Sequence, residues 1–100
     1  MSARFPYPAV YMMASRPFGV LYVGVTNDLP RRVYEHQAGL LKGFTVEHGC
    51  KMLVWYEPHA MMTEAILREK RIKRWRRAWK FQLVEQFNED WTDLSLTMNQ

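Results

Sequence analysis

Two side chains capable of chemistry lie on the apolar face of a predicted helix. Arg32 and His36 are four residues apart in the stretch GVLYVGVTNDLPRRVYEH, so they share one side of that helix. The same side carries Leu29, Val33 and Leu40, which we expect to point at the core. A guanidinium, which binds anionic oxygens, and an imidazole, which exchanges protons near neutral pH, would therefore face a sheet.

Two tyrosines are predicted to join them on that sheet. A symmetric hairpin with its turn centred between Arg16 and Pro17 pairs Tyr11 with Tyr22, and directly opposed residues share a face. Gly24 lies two residues further along the same face. The two rings could simply pack against each other, or their hydroxyl groups could take part in proton transfer.

A carboxylate in the C-terminal half of the chain completes the set. Glu69 lies at the edge of an apolar helical stripe that includes Ala65 and Ile72, and its sequence neighbours are cationic. It could pair with an arginine, or it could hold a divalent metal, since Mg²⁺ often uses only one or two carboxylates. A metal-binding carboxylate, a cation and a proton acceptor are the groups that phosphodiester hydrolysis needs.

The elements that must position these residues predict a small α+β domain. We expect a three-stranded antiparallel sheet flanked by helices, in the order ββαβαα. The first helix should be capped by Asn27 or Asp28 and should end near Gly39. The remaining pattern predicts strands over 7–13, 20–26 and 52–57 and helical structure over 61–87. The apolar stripe of that last helical region consists of Ala65, Ile72, Trp75, Trp79 and Leu83.

Three further segments follow from the same pass along the chain. Residues 39–50 are rich in glycine and are expected to form a loop. Residues 1–94 are expected to form a single domain, and residues 95–100 a flexible tail.

Composition limits the class of protein. One hundred residues, 48% of them hydrophobic, suffice for one domain with a modest core. The N-terminal stretch does not resemble a secretory signal, and no apolar run is long enough to span a bilayer. The single Cys50 cannot form an internal disulfide, and the three histidines lack the spacing of metal ligands. A reducing, cytoplasmic location is therefore expected.

The net charge of +4 is unevenly distributed along the chain. Residues 68–80, which we call the basic segment, hold eight basic residues and one acid, interleaved with Trp75 and Trp79. This concentration of charge favours nucleic acid as a partner over an ordinary solvated helix face. The candidate phosphate-binding residues are Arg68, Lys70, Arg71, Lys73, Arg74, Arg76, Arg77 and Lys80.

These motifs resemble those of the GIY-YIG endonuclease superfamily, in particular its small stand-alone bacterial branch. That family has two short strand motifs about ten residues apart, which stand here as Ala9-Val10-Tyr11 and Tyr22-Val23-Gly24. Arg32 and His36 match an Arg and a following His or Tyr of the family's first helix, and Glu69 in TEAILREKRIK matches its metal-binding Glu.

The resemblance covers roughly residues 7–94 and includes a C-terminal residue. Asn88 in EQFNEDWTDL is the counterpart of an Asn that is typical of the family. The first motif departs from the pattern, because Ala9 stands where the family has Gly.

The resemblance implies a division of labour in the site. Glu69 would bind one Mg²⁺ or Mn²⁺ at the scissile phosphate, and Arg32 would stabilise charge on the phosphate oxygens. Tyr11 or Tyr22 would orient the attacking water or accept its proton, and His36 could share that role. The basic segment would bind backbone phosphates, which carry no sequence information.

Three functions are open at this point. The first is a metal-dependent endonuclease with low sequence specificity, acting on DNA in preference to RNA and delivered, where specificity is needed, by a protein partner. The second is a nucleic-acid-binding module of the same fold with weak or no cleavage activity. The loop FTVEHG favours it, because close relatives more often have basic or aromatic residues there. The third is a protein–protein adaptor that uses the tryptophans. The oligomeric state does not follow from the sequence.

Overall fold

The computed structural model describes residues 7–98 of the chain, and residues 1–6, 99 and 100 lie outside that range. The described part contains β1 (Ala9–Ala14), β2 (Leu21–Thr26), α1 (Leu29–Gln37), α2 (Phe44–His48), β3 (Met52–Pro58), α3 (Met62–Lys73), α4 (Arg77–Phe87) and a 3-10 helix (Leu94–Leu96). Within residues 7–98, no helix combines the length and apolar character needed to cross a membrane.

The sheet is antiparallel and has β1 at its centre. Its strand order is β2-β1-β3, and all six residues of β1 are buried. A short apolar run without polar alternation is typical of a strand that is covered on both faces. The expected fold class, a three-stranded antiparallel sheet flanked by helices, is confirmed.

Alternate side chains of β1 point to opposite faces, so the sheet separates two apolar clusters. One face packs against α3 and α4, and its cluster includes Val10, Met12, Ala65, Ile72 and Val84. The other face packs against α1, and its cluster includes Ala9, Tyr11, Met13, Leu29 and Val33. Tyr11 therefore lies on the face that α1 covers.

The register of the first hairpin differs from the prediction. Tyr11 pairs with Gly24, and Tyr22 pairs with Met13. The prediction that Tyr11 lies directly opposite Tyr22 is therefore wrong. The two rings still share a face, because the pairing is displaced by two residues and side-chain direction alternates with a period of two.

The turn of this hairpin explains the displacement. The backbone N–H of Ser15 donates to the carbonyl of Val20 over 3.0 Å, which centres the turn one residue later than expected, between Pro17 and Phe18. Phe18 adopts a positive φ of 57°, and its ring lies 4.8 Å from that of Trp91. An apolar contact with a distant part of the chain therefore accompanies a backbone conformation that non-glycine residues rarely adopt.

Helix α1 ends earlier than its apolar pattern suggests. Leu29, Val33 and His36 are buried, as their spacing predicts. Leu40 is 63% exposed, because α1 ends at Gln37 and Leu40 lies beyond it. The prediction that Leu40 belongs to the buried face is therefore wrong.

The segment predicted as a loop over 39–50 contains a short helix. Helix α2 has Gly43 before it and Gly49 after it, with φ angles of 108° and 63° that glycine tolerates readily. Of its five residues only Thr45 is buried. A helix of five residues is shorter than two turns, so it leaves little periodic signal in the sequence.

The predicted helical region over 61–87 consists of two helices. The helical conformation is interrupted between α3 and α4, over residues 74–76, where Arg76 adopts an extended conformation. The break turns Trp79 outward, so that it is 48% exposed, whereas Trp75 and Leu83 pack partly against the core. The prediction that Trp79 shares the buried stripe is therefore wrong.

The C-terminal residues have contacts with the sheet. The Asp93 carboxylate accepts a hydrogen bond from the backbone N–H of Leu53 in β3, at 3.1 Å. Leu94 and Met98 pack against the cluster on the α1 side. The domain boundary at residue 94 and the flexible tail over 95–100 stay predictions, and two residues of that tail lie outside the described range.

Replacing Gly24 with alanine should destabilise the fold by about 1–3 kcal/mol, the usual cost of overpacking. A Cβ at this position would lie 2.5 Å from the Tyr11 hydroxyl oxygen and 2.6 Å from its Cζ, and Tyr11 is only 2% exposed. Urea unfolding of Gly24→Ala measures the loss.

A Tyr11→Leu background provides the control for this prediction. The leucine side chain is too short to reach over Gly24, so Gly24→Ala should be harmless there, since alanine is otherwise the less costly residue in a strand. An equal loss of stability in both backgrounds would contradict the assigned contact.

Candidate active site

A buried hydrogen bond between Tyr11 and His36 forms the centre of the site. The phenol oxygen of Tyr11 lies 2.8 Å from Nε2 of His36, and the two residues are 2% and 3% exposed. Strand β1 supplies the phenol and α1 supplies the imidazole. The ring of Tyr11 lies over Gly24 of β2, so the glycine leaves the room that this ring occupies.

Tyr22 lies beside this pair on the edge strand β2. Its ring centroid is 6.2 Å from that of Tyr11 and 5.3 Å from that of His36. It is partly exposed, whereas the other two residues are buried. The three rings therefore form a path from the interior to the surface.

Burial keeps the central pair neutral at pH 7. It is the largest cause that raises the pKa of Tyr11 well above its usual range, and the proximity of Tyr22 adds to the effect. Burial and then the positive charge of Arg32 lower the pKa of His36 from 6.5 to about 4. The site therefore contains a protonated phenol hydrogen-bonded to an uncharged imidazole.

Arg32 lies at the solvent side of the pair. Helix α1 places it there, and the helix begins at Asp28, whose carboxylate accepts from the backbone N–H of Arg31 at 3.2 Å. The Nε of Arg32 is 3.6 Å from Glu35, and its side chain is 39% exposed. An open groove of about 420 Å³ adjoins it, lined by Thr26, Asn27, Asp28, Arg31, Arg32 and Glu35.

Glu69 of α3 is a nearly buried carboxylate, 9% exposed. Its Oε2 lies 2.8 Å from Nζ of Lys73, one helical turn later, so its ion-pair partner is a lysine and not an arginine. The same ammonium group lies 6.0 Å from the ring centroid of Tyr22. The negative charge of Glu69 is close enough to raise the pKa of Tyr11. This carboxylate therefore lies near the Tyr11–His36 pair.

The structure adds one residue that sequence reasoning missed. The hydroxyl oxygen of Thr45 lies 3.1 Å from Nδ1 of His36, on the opposite side of the imidazole from Tyr11. Thr45 is only 5% exposed. No periodic signal could have found it, because the eight residues between it and His36 cross a helix end and a loop.

Asn88 has a position that its own hydrogen bonds account for. It ends α4, and its side-chain amide donates to the carbonyl of Val54 at 3.0 Å and to that of Thr92 at 2.9 Å. Its side-chain oxygen accepts from the backbone N–H of Thr92 at 3.1 Å. Asn88 therefore ties the turn after α4 to β3, and a role for it in the site stays a prediction.

The basic segment divides into engaged and free side chains. Arg68 forms two hydrogen bonds with Glu57, at 3.0 and 3.3 Å, and Arg77 donates to two carbonyls of the first hairpin turn. Lys73 pairs with Glu69, the Arg76 guanidinium lies over the Trp79 ring, and Lys80 donates to a backbone carbonyl. Three exposed cations of the basic segment have neither an ion pair, nor a side-chain hydrogen bond, nor a ring contact with another described residue: Lys70, Arg71 and Arg74.

Comparison with known proteins gives relatives that are named UPF0213 proteins. The UPF0213 protein of Bacillus pumilus is 35% identical over 68 residues, which are 68% of this chain and 69% of that protein. The UPF0213 protein of Haloquadratum walsbyi is 39% identical over 66 residues, which are 66% of this chain and 74% of that protein. For the UPF0213 protein of Aeromonas salmonicida, the identity is 32% over 82 residues, 80% of this chain and 60% of that protein.

No solved structure matches the chain, whereas a family model does. The model of the GIY-YIG catalytic domain matches residues 7–82, a range that contains both strand motifs, Arg32, His36 and Glu69. The fold, with its central β1 and the paired tyrosines on one face, is consistent with that match. The resemblance noted in the sequence is thus confirmed, and this chain belongs to the GIY-YIG family.

Proposed function

We propose that this protein is a metal-dependent endonuclease that hydrolyses phosphodiester bonds in nucleic acid, DNA in preference to RNA, with low sequence specificity. The GIY-YIG family consists in general of endonucleases, so the domain is of a nuclease type. One observation carries the proposal further: the hydrogen-bonded Tyr11–His36 pair adjoins Tyr22, Arg32 and Glu69, which come from three different elements.

The donor set suits a magnesium or manganese ion. Among the described residues, no three of His, Cys, Asp or Glu are clustered as metal ligands, so Glu69 would supply the single protein carboxylate. Mg²⁺ binds in this way when water and substrate phosphate complete its coordination. A bound ion would supply Lewis-acid stabilisation of the departing oxygen.

The protein's own side chains have separable tasks in this proposal. Arg32 holds the phosphate and offsets the charge that develops on its oxygens, a task suited to a guanidinium. Tyr11 or Tyr22 orients the attacking water or accepts its proton. Burial of Tyr11 and His36 excludes bulk water from that end of the site, which strengthens each electrostatic interaction there.

The free cations would hold the nucleic acid backbone. Lys70 and Arg71 lie on α3, the helix that carries Glu69, and Arg74 directly follows that helix. The groove beside Arg32 is also lined by Arg31 and Asn27, which can donate to phosphate oxygens. Such contacts position the backbone and do not read its sequence.

A second candidate function is a nucleic-acid-binding module without cleavage activity. The observation that favours it is the Lys73 ammonium, which lies 2.8 Å from the proposed metal-binding carboxylate and competes with a cation for it. Tight, salt-sensitive binding would support this function if, with Mg²⁺ or Mn²⁺ present, no cleavage of nicked, branched, single-stranded or duplex DNA is found. The proposed nuclease would cut at least one of these substrates.

Replacing Glu69 with glutamine should lower cleavage by roughly 100-fold or more, because a metal ion supplies several kcal/mol of transition-state stabilisation. Binding of the substrate should persist, since the cations are unchanged. The measurements are cleavage rate and equilibrium binding with Mg²⁺. Glu64→Gln is the matched control, an exposed carboxylate on the same helix. Unchanged cleavage by Glu69→Gln in nuclease-free preparations would overturn the proposal.

The triple change of Lys70, Arg71 and Arg74 to glutamine should weaken binding uniformly across sequences. The slope of log K against log salt concentration should fall by about 2 to 3, roughly one for each lost phosphate contact. Binding titrations at several salt concentrations measure it. Lys51→Gln, which removes an exposed charge outside the basic segment, should leave the slope nearly unchanged. An unaltered slope in the triple variant would place the phosphate contacts elsewhere.

His36 should make stability depend on pH in acid. Its pKa is lowered from 6.5 to about 4 on folding, so between these values the unfolded chain binds a proton that the folded chain does not. The stability due to neutral His36 is complete above about pH 6.5 and is lost as the pH falls towards 4. Urea unfolding of wild type and His36→Gln from pH 7 to 4.5 tests this. The difference should shrink with acid, and His48→Gln should behave as wild type.

A further inference from the structure

Two hydrogen bonds and a contact between two tyrosine rings form a chain that runs through the site. The Thr45 hydroxyl oxygen lies 3.1 Å from Nδ1 of His36, and Nε2 of His36 lies 2.8 Å from the Tyr11 hydroxyl oxygen. The Tyr11 ring lies beside that of Tyr22, 6.2 Å away between centroids, and the proximity of Tyr22 adds to the raised pKa of Tyr11. Thr45, His36 and Tyr11 are almost fully buried, and Tyr22 is partly exposed. The chain therefore has one end in the interior and one end near solvent.

A chain of this kind can be oriented in two directions. A neutral imidazole has one N–H and one lone-pair nitrogen, and a hydroxyl can donate one proton or accept. In the outward direction, Thr45 donates to Nδ1, the Nε2–H donates to Tyr11, and the Tyr11 O–H is left to point towards Tyr22. In the inward direction every role is reversed, and the Nδ1–H of His36 donates to Thr45.

The surroundings of Thr45 decide between the two directions. Among residues 7–98, Nδ1 of His36 is the one hydrogen-bond partner of the Thr45 hydroxyl. In the inward direction Nδ1 is a donor, so the buried hydroxyl proton of Thr45 would have no protein acceptor. Buried donors in proteins are almost always paired. In the outward direction the Thr45 and Nε2 protons both have acceptors, and the remaining proton is that of Tyr11, beside the partly exposed Tyr22, where the Tyr22 hydroxyl or solvent can accept it.

We propose that Thr45 is a positioning residue, whose hydroxyl donates to Nδ1 and thereby holds His36 as the Nε2–H tautomer that donates to Tyr11. His36 is then a donor towards the phenol and does not accept its proton at Nε2. A phenolate oxygen at Tyr11 would be stabilised by this bond, as a charge-assisted hydrogen bond. Its consequence for catalysis rests on the proposed nuclease function, and the tautomer does not.

In this arrangement the short helix α2 positions the Thr45 hydroxyl. Thr45 is its one buried residue, and the glycines at both ends let a five-residue helix place that hydroxyl against α1. The neutral state of His36 at pH 7, which follows from its lowered pKa, is what makes a choice of tautomer meaningful.

The tautomer can be measured directly by ¹⁵N NMR of the histidine side chains in the full-length protein at pH 7. We expect His36 to carry its proton on Nε2, with Nδ1 in the lone-pair state; His48→Gln and His59→Gln variants assign its signals. In Thr45→Val, which keeps the shape of the side chain but removes the hydroxyl, Nδ1 loses its hydrogen-bond donor, so its ¹⁵N signal should move towards that of a free lone-pair nitrogen. Thr45→Ser should keep the wild-type tautomer.

Cleavage kinetics provide the second readout. Thr45→Val should lower kcat by roughly 10- to 100-fold with KM little changed, as when a partner that orients a catalytic-site histidine is removed. Thr45→Ser should restore most of the activity. Thr63→Val is the matched control, because Thr63 is exposed on α3 and should alter neither the tautomer nor kcat.

Two results would overturn the proposal: a wild-type His36 protonated at Nδ1, or a Thr45→Val protein whose Nδ1 signal is unchanged. The wild-type spectrum needs no variant, so the test holds even if Thr45→Val is unstable. A wild-type protein that shows the Nε2–H tautomer but cuts no substrate would sustain the positioning role of Thr45 and would refute the nuclease function separately.

Discussion

The burial of one hydrogen-bonded pair, Tyr11 and His36, constrains the rest of this structure. A phenol in the central strand can lie flat over its neighbour only because that neighbour is Gly24. An imidazole can face the sheet from α1 only because the phenol and Thr45 satisfy both of its ring nitrogens. Without these partners two polar groups would be desolvated unpaired, which proteins rarely tolerate.

The charges around this pair are arranged outside the dry centre. Arg32 remains partly exposed and near a carboxylate of its own helix, and Glu69 is nearly buried but neutralised by Lys73. The positive charge of Arg32 lowers the pKa of Tyr11, and the negative charge of Glu69 raises it. In the proposed nuclease, the neutral pair would thus have near it a cation for the phosphate and a carboxylate for a metal ion, as phosphodiester chemistry requires.

The basic segment contributes to the fold as well as to the proposed binding of nucleic acid. Arg68 connects α3 to β3, and Arg77 connects α4 to the first hairpin turn. Their positive charges are therefore no evidence for binding of a partner. Composition predicted the concentration of charge but could not separate structural from free cations, because adjacent positions on a helix face different surroundings. The interruption between α3 and α4 determines which of these cations contact the fold and which remain free. It also places Trp79 at the surface.

The sequence alone determined the fold class, the shared face of Tyr11 and Tyr22, and the buried orientation of His36, because strand and helix periods are local properties. The tertiary structure decided what depends on distant contacts. The turn moved the partner of Tyr11 to Gly24, the loop over 39–50 brought Thr45 to His36, and Leu40 lost its place in the core. These outcomes carry no periodic signal, because each is set by packing between segments that are not sequence neighbours.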